Sequence, residues 1–378
     1  MMKKTILAAG ALCAVLIAPL SAVAETPLGL PPVPVPEDNP VTEEKVLLGI
    51  KLFNDKRFSS TGEVNCATCH DGGKAFTDSP LSVSEGINGL TGTRNAPTVI
   101  NAAYMHTQFW DGREPDLEEQ SKGPFVNPVE MGLESHDPIL EIVRSDKEYG
   151  KMFKKAFGIS QKKISMDHVK KAIASFERTV IAGDSPFDRY MYGGDKTAMS
   201  EAAIRGMRVF RFEGRCVSCH TTSQTFALFT DNKFHNLNVN FELISDSLDS
   251  VTKTFIQDKE GGADLDVTVL TNQEASELGR FVVSTAPADI GAFKTPTLRN
   301  IELTAPYMHD GSLKTLEEVV DFYNNGGRVE ADGPVNDFQS GGIRPLNLTD
   351  QQKADLVEFL KALTSSRESL EKLAELTK

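Results

Sequence analysis

Two segments, Cys66-Ala67-Thr68-Cys69-His70 and Cys216-Val217-Ser218-Cys219-His220, constrain this chain more than any other feature. Together they use every cysteine beyond Cys13. Cys-x-x-Cys-His is the spacing of c-type haem attachment: two thiols add across the porphyrin vinyl groups, and the following histidine ligates the iron. A four-cysteine zinc site is the alternative. Such sites gather their pairs across a short loop, whereas most of a domain separates these two. Disulfides within each pair would leave His70 and His220 unexplained.

The start of the chain points to export. Lys3 and Lys4 precede an apolar run from Ile6 to Leu20, and Ala22-Val23-Ala24 has the small residues of a cleavage site. This predicts a signal peptide over 1–24, carrying Cys13 away with it, and a periplasmic mature protein. The run is shorter than the roughly 20 residues of a membrane span, and no later segment could serve as one. Losing the two lysines takes the formal charge from -13 to -15. That balance argues against nucleic acid and suits a basic or dipolar protein partner. It also suits plain solubility.

The mature chain is long enough for two domains. Residues 25–40 are proline-rich and read as an extended arm. Helices are predicted from Thr42 to Asn54, Asp137 to Phe157, Ser165 to Ile181, Ser200 to Phe212 and Thr315 to Tyr323, with a last one starting at Thr349-Asp350. A Gly, Pro and Asp-bearing stretch at 182–197 marks the boundary, giving domains at 25–185 and 186–378. Helix, attachment motif and loop occur in that order in each, a weak internal duplication. The acidic stretch 240–277 reads as a mobile insertion. Strand patterns are scarce, so the expected fold class is mainly α.

Each haem iron needs one further ligand or an open face. The loop that should lie over the first haem, Ser82 to Arg94, contains no His, Met, Cys or Tyr. On ligand supply, the first iron is open. Of the remaining histidines, His106 and His136 read as surface, His168 as helix-exposed, and His235 and His309 as structural or as supports behind a haem ligand.

Several further segments carry a resemblance: Ala75-Phe76-Thr77-Asp78, Arg94-Asn95-Ala96-Pro97-Thr98, Gln108-Phe109-Trp110-Asp111-Gly112-Arg113, Val129-Glu130-Met131-Gly132, Phe293 to Asn300, and Pro306-Tyr307-Met308-His309-Asp310-Gly311. With the two attachment motifs, they make the chain resemble the bacterial di-haem cytochrome c peroxidase family, including its MauG-like branch. The resemblance covers nearly the whole mature chain. It implies two cytochrome-c-like domains sharing an interface, with peroxide at the N-terminal haem and electron entry at the C-terminal one. It makes Trp110 the residue between the haems, Glu130 the distal acid/base, and Gln120 and Pro124 distal-pocket residues. It makes Asn95, Thr304 and Pro306 oxygen donors to a calcium ion; at these positions they could equally be turn residues. A carboxylate over an open iron can move the proton that peroxide cleavage requires, which supports Glu130 on chemical grounds.

Two departures matter. Many members place a capping histidine before Arg-Asn-Ala-Pro, and Glu85 to Leu90 has none. The second haem's usual distal methionine falls at Tyr323 here, the pattern of MauG, with Met308 as the alternative ligand. The expected function is reduction of hydrogen peroxide with electrons from a small cytochrome c or cupredoxin. A MauG-like oxidase acting on a partner protein and a non-catalytic electron carrier are the competing readings. A homodimer is left open.

Overall fold

A computed structural model describes residues 26–377; the proposed signal peptide lies outside them. The fold is mainly helical. Its one sheet among the described residues is a two-stranded antiparallel ribbon, β1 (Phe234–Asn236) with β2 (Ala292–Lys294), in the register His235 opposite Phe293. No helix among them is long and apolar enough to cross a membrane.

The first half is built on α1 (Glu43–Phe53), α2 (Leu117–Gln120), α3 (Asp137–Ser145), α4 (Lys147–Phe157) and α5 (Met166–Glu177). Thr42 caps α1 by accepting from the Lys45 amide, as the sequence predicts. The single helix expected over 137–157 is two. Asp146 breaks it, because its carboxylate accepts from the Glu148 and Tyr149 amides and restarts the chain as α4. His168 is not simply exposed: it occupies the third position of α5 and completes a capping box with Ser165. His136 is likewise held, its ring Nε2 3.0 Å from the Lys122 carbonyl. Leu48, Leu52, Phe53, Phe58, Phe76, Phe153 and Phe176 form the core beneath these helices. Burying each such side chain contributes roughly 1.5–3 kcal/mol.

The second half uses α6 (Glu201–Arg211), α7 (Gln273–Glu277), α8 (Leu316–Asn324), α9 (Asp350–Lys361) and α10 (Arg367–Ala374). Phe187, Phe210, Phe229 and Phe359 centre its core. α9 is not the last helix. α10 follows and sends Leu373 into the core of the first half, where the Gly72 amide donates to Thr377. The proline-rich arm crosses the other way. The Gly29 carbonyl accepts from Arg299, whose guanidinium also grips Asp188 at 2.8 Å.

The duplication is deeper than sequence suggested. α1 crosses α5 at Gly49, and α6 crosses α9 at Gly206. A Cβ at Gly49 would lie 2.2 Å from the Ala172 carbonyl oxygen, and one at Gly206 1.8 Å from that of Asp355. Both crossings therefore need glycine for close approach. Asn101 and Asn300 both take left-handed backbone. Each accepts, through its side chain, the amide of the segment leaving the paired helix, Ala182 and Ser365 respectively.

The stretch 240–277 is ordered rather than a mobile insertion. It folds into short helices over its own core of Phe241, Ile244, Val251, Phe255, Val269 and Leu270. Most of its acids lie on its outer face, while Glu277 and Asp266 turn inward; in the sequence that charge diluted its apolar residues. It also ties the halves together: Thr93 donates to the Val269 carbonyl, and the Asn127 amide group to that of Asp266.

Candidate functional site: paired haem-attachment segments and the cleft between them

Each attachment segment forms one short helical turn, after which the histidine is fixed from one side. His70 donates through Nδ1 to the Phe76 carbonyl at 3.2 Å, and His220 to that of Phe229 at 2.8 Å. Phe76 and Phe229 both take positive φ, which turns those carbonyls inward. Thr98 and Thr297 hold the preceding carbonyls, of Ala75 and Leu228. Burial pushes both imidazoles below their ordinary pKa. A neutral ring with Nδ1–H engaged leaves the Nε2 lone pair for a metal. The four cysteines form no disulfide. Nor do the two pairs converge: the one cluster of metal-ligating side chains among the described residues is Cys219, Asp231 and His235. That removes the zinc alternative.

Beside Cys216, Cys219 and His220 lies a mainly apolar cavity of about 530 Å³. Tyr323, Met308 and Trp110 line it, and its charged side chains, Arg215, Lys294 and Arg344, are all cationic. An apolar slot lined by cationic side chains and no carboxylate fits a porphyrin with two propionates. Burial pushes the Tyr323 phenol up, so without a cation at its oxygen it stays neutral; a ferric iron would supply one. Asn95, Thr304 and Pro306 line the same cavity and offer neutral oxygens only.

On the first side, the loop Ser82 to Arg94 folds back on Glu130. The Ile87 amide donates to the Glu130 carbonyl at 2.9 Å. Gly86 presses so close that a Cβ there would sit 2.1 Å from the Val129 oxygen. The Glu130 carboxyl is close enough for its charge to act on the Cys66 and Cys69 thiols, so it lies in the neighbourhood of the first attachment segment. Desolvation pushes its pKa up to about 7, against the pull of the Arg113 guanidinium and with a push from Asp266. Gln120 ends α2, and Pro124 follows it, its carbonyl accepting from the Met131 amide. His106 lies on the exposed side, its amide donating to Asn232 of the second half, not over the first attachment segment.

Trp110 sits where the halves meet. Its indole donates to the Asn95 carbonyl at 2.9 Å. The Asn95 amide in turn donates to the His309 carbonyl, and the Lys294 amide to the Trp110 carbonyl, both at 2.8 Å. In the duplication Asn95 matches Lys294 and Trp110 matches His309, so this exchange is reciprocal across a pseudo-twofold axis. His309 is buried, stacked on Phe293 and 2.9 Å from the Glu277 carboxylate. Sequence reasoning missed Glu277 and Asp266, whose stretch looked like solvated acid, and Arg113, which lay inside a quoted motif. It also missed Glu177, buried near Cys66 with one carboxylate oxygen unpartnered.

Comparison with known proteins decides the family. A cytochrome-c peroxidase of Denitromonas iodatirespirans is 36% identical over 95% of this chain and 92% of its own. The methylamine utilization protein MauG of Methylorubrum extorquens is 35% identical over 88% and 81%. The chain belongs to the di-haem cytochrome c peroxidase family. The model of that family matches residues 43–197. A solved MauG-like protein associated with microbial copper homeostasis superposes with TM-score 0.74 at 35% identity, over 92% of this chain and 96% of that one. The protein is thus an oxidoreductase of the cytochrome-c peroxidase type, with two haem c groups as the family's cofactors.

Proposed function

We propose that this protein reduces hydrogen peroxide to water in the periplasm, at the first haem, with electrons entering through the second. Glu130 is the observation that carries the reading: a buried carboxyl with a pKa of about 7, packed under the Ser82 to Arg94 loop within electrostatic reach of Cys66 and Cys69. Bound haem supplies the iron that takes peroxide and accepts its oxidising equivalents. Glu130 takes the proton from one peroxide oxygen and returns it to the other, a transfer favoured by a pKa near the working pH. With two electrons and two protons, one peroxide gives two waters. With haem bound, Gln120 would be available to hydrogen-bond the oxidant, and Pro124 would offer the iron no side-chain ligand. Burial raises the Glu130 pKa, and Arg113 and Asp266 trim it in opposite directions.

Trp110 carries electrons between the halves, held at its indole N–H and its carbonyl by groups from both. Cys66, Cys69 and His70 would hold one haem, and Cys216, Cys219 and His220 the other, with Tyr323, or failing it Met308, available as a further ligand to the second iron. A calcium ion bound by Asn95, Thr304 and Pro306 would need water to complete its shell. The electron donor is a small cytochrome c or a cupredoxin. The MauG-like likeness and Tyr323 favour a second reading, oxidation of a partner protein.

The test is Glu130→Gln in the two-haem protein. Peroxide turnover falls about 10²–10⁴-fold, the usual worth of general acid/base help. Turnover within about twofold of the parent moves that role elsewhere. Peroxide turnover absent in the parent, with both haems bound, favours the protein-substrate reading.

A further inference from the structure

The end of α6 is out of keeping with the rest of the molecule. The chain carries a formal charge of -13, yet residues 202–215 hold Arg205, Arg208, Arg211 and Arg215 against one acid, Glu213. Arg205 is engaged by Asp355 at 2.7 Å. The other three have no carboxylate partner among the described residues. Phe212, one turn beyond Arg208, is 67% exposed, and the attachment segment begins four residues later at Cys216.

An exposed phenylalanine alone means little. The duplication supplies the second observation. With Gly49 matched to Gly206, Arg208 and Phe212 correspond to Lys51 and Asp55. Those residues are paired within the first half, Lys51 with Glu148 at 3.0 Å and Asp55 with Arg57 at 2.6 Å. The same corner of the scaffold is thus neutralised in one half and left cationic, with an aromatic centre, in the other. Arginine and aromatic residues are the types enriched in protein interfaces.

We infer that an acidic electron-donor protein docks on Arg208, Arg211 and Phe212, beside the second attachment segment. The inference rests on the reading that electrons enter there from a protein, and it reverses the basic partner that net charge alone suggested. The donor's one-electron centre is oxidised and the second haem reduced, with no proton or bond change required. Arg208 and Arg211 do not line the haem cavity, so they remain for the partner when Arg215 and Arg344 face propionates.

Salt distinguishes the patch from the whole molecule. If net charge governs, an acidic donor is repelled, and added salt speeds it. If the patch governs, an acidic donor is attracted, and salt slows it, since at about 0.15 M charges more than roughly 8 Å apart are largely screened from one another. The experiment is stopped-flow reduction of the second haem in the two-haem protein. The donors are a pre-reduced cupredoxin of net negative charge and a monohaem cytochrome c of net positive charge.

The acidic donor is expected to react faster, and more slowly as salt rises. Arg208→Glu with Arg211→Glu should slow it roughly tenfold or more and reverse its salt dependence, as rim charges act on association rates. Arg208→Lys with Arg211→Lys should restore most of the rate. Reduction by ascorbate with a small mediator should be unchanged in every variant, which checks folding and haem content. A faster basic donor, or charge reversal without effect on the acidic one, overturns the inference. So does loss of binding to anionic lipid vesicles as the sole effect of charge reversal. Because haem reduction is read directly, absent peroxide turnover would count against the peroxidase reading and leave this result intact.

Discussion

The two halves share helix crossings, histidine tethers and asparagine clamps, but differ where a cofactor would be touched. Stepping on from the matched Gln108 and Tyr307 turns, Pro124 of the first half falls opposite Tyr323 of the second. Proline offers no side-chain donor to iron; tyrosine does. Glu177 falls opposite Leu360, which lines the second cavity. Asp78 falls opposite Asp231. Asp231 is bonded to His235, while both Asp78 oxygens are buried without a partner. One scaffold used twice thus separates folding residues, which match, from residues that assign different tasks, which do not.

The largest test of this contrast replaces the unmatched ligand. Wild-type ferric protein should bind cyanide at the first haem alone. Tyr323→Phe should open the second, so that titration followed by absorbance doubles the cyanide bound per chain. Unchanged stoichiometry gives the ligand position to Met308.

A smaller effect is expected at Glu177. Burial pushes its pKa up to about 8 from an ordinary 4.5. A raised pKa means the charged form is the costly one in the folded state. The group's contribution to stability is full below about pH 4.5 and is lost as pH rises through about 8. Glu177→Leu, which copies the second half, should therefore gain on the order of 2–4 kcal/mol at pH 8 and little at pH 4.5. Denaturant melts at both pH values decide it. An equal effect at both would mean that the carboxyl is not held in the way described.

The smallest expected effects sit at the shared crossings. Gly49→Ala and Gly206→Ala should each cost about 1–3 kcal/mol by overpacking, and by similar amounts. A neutral Gly49→Ala beside a costly Gly206→Ala would break the equivalence of the helix pairs.

Much of the shared scaffold was legible in sequence because its signals are local. Thr42, Ser165 and Thr349 cap their helices as their residue types dictate. The attachment spacing specified both cysteine sites. What was not legible depends on contacts between distant residues. The crossing glycines are ordinary until the partner helix is placed. Glu277 reads as solvated acid until His309 is found 2.9 Å away. The Asp146 break lay within an unbroken helical period, since a capping carboxylate and a surface carboxylate look alike in sequence. Glu130 was legible through its motif, but the balance of burial, Arg113 and Asp266 around it was not.

In the function proposed above, the first haem has an open face for peroxide and the second does not. An electron paramagnetic resonance spectrum of the all-ferric, two-haem protein separates the two. One high-spin signal is expected, assigned to the first haem by its loss when cyanide binds, with one low-spin signal from the haem held by His220 and Tyr323. Two low-spin signals, with peroxide reacting only after one-electron reduction, would contradict this and show that some residue caps the first iron.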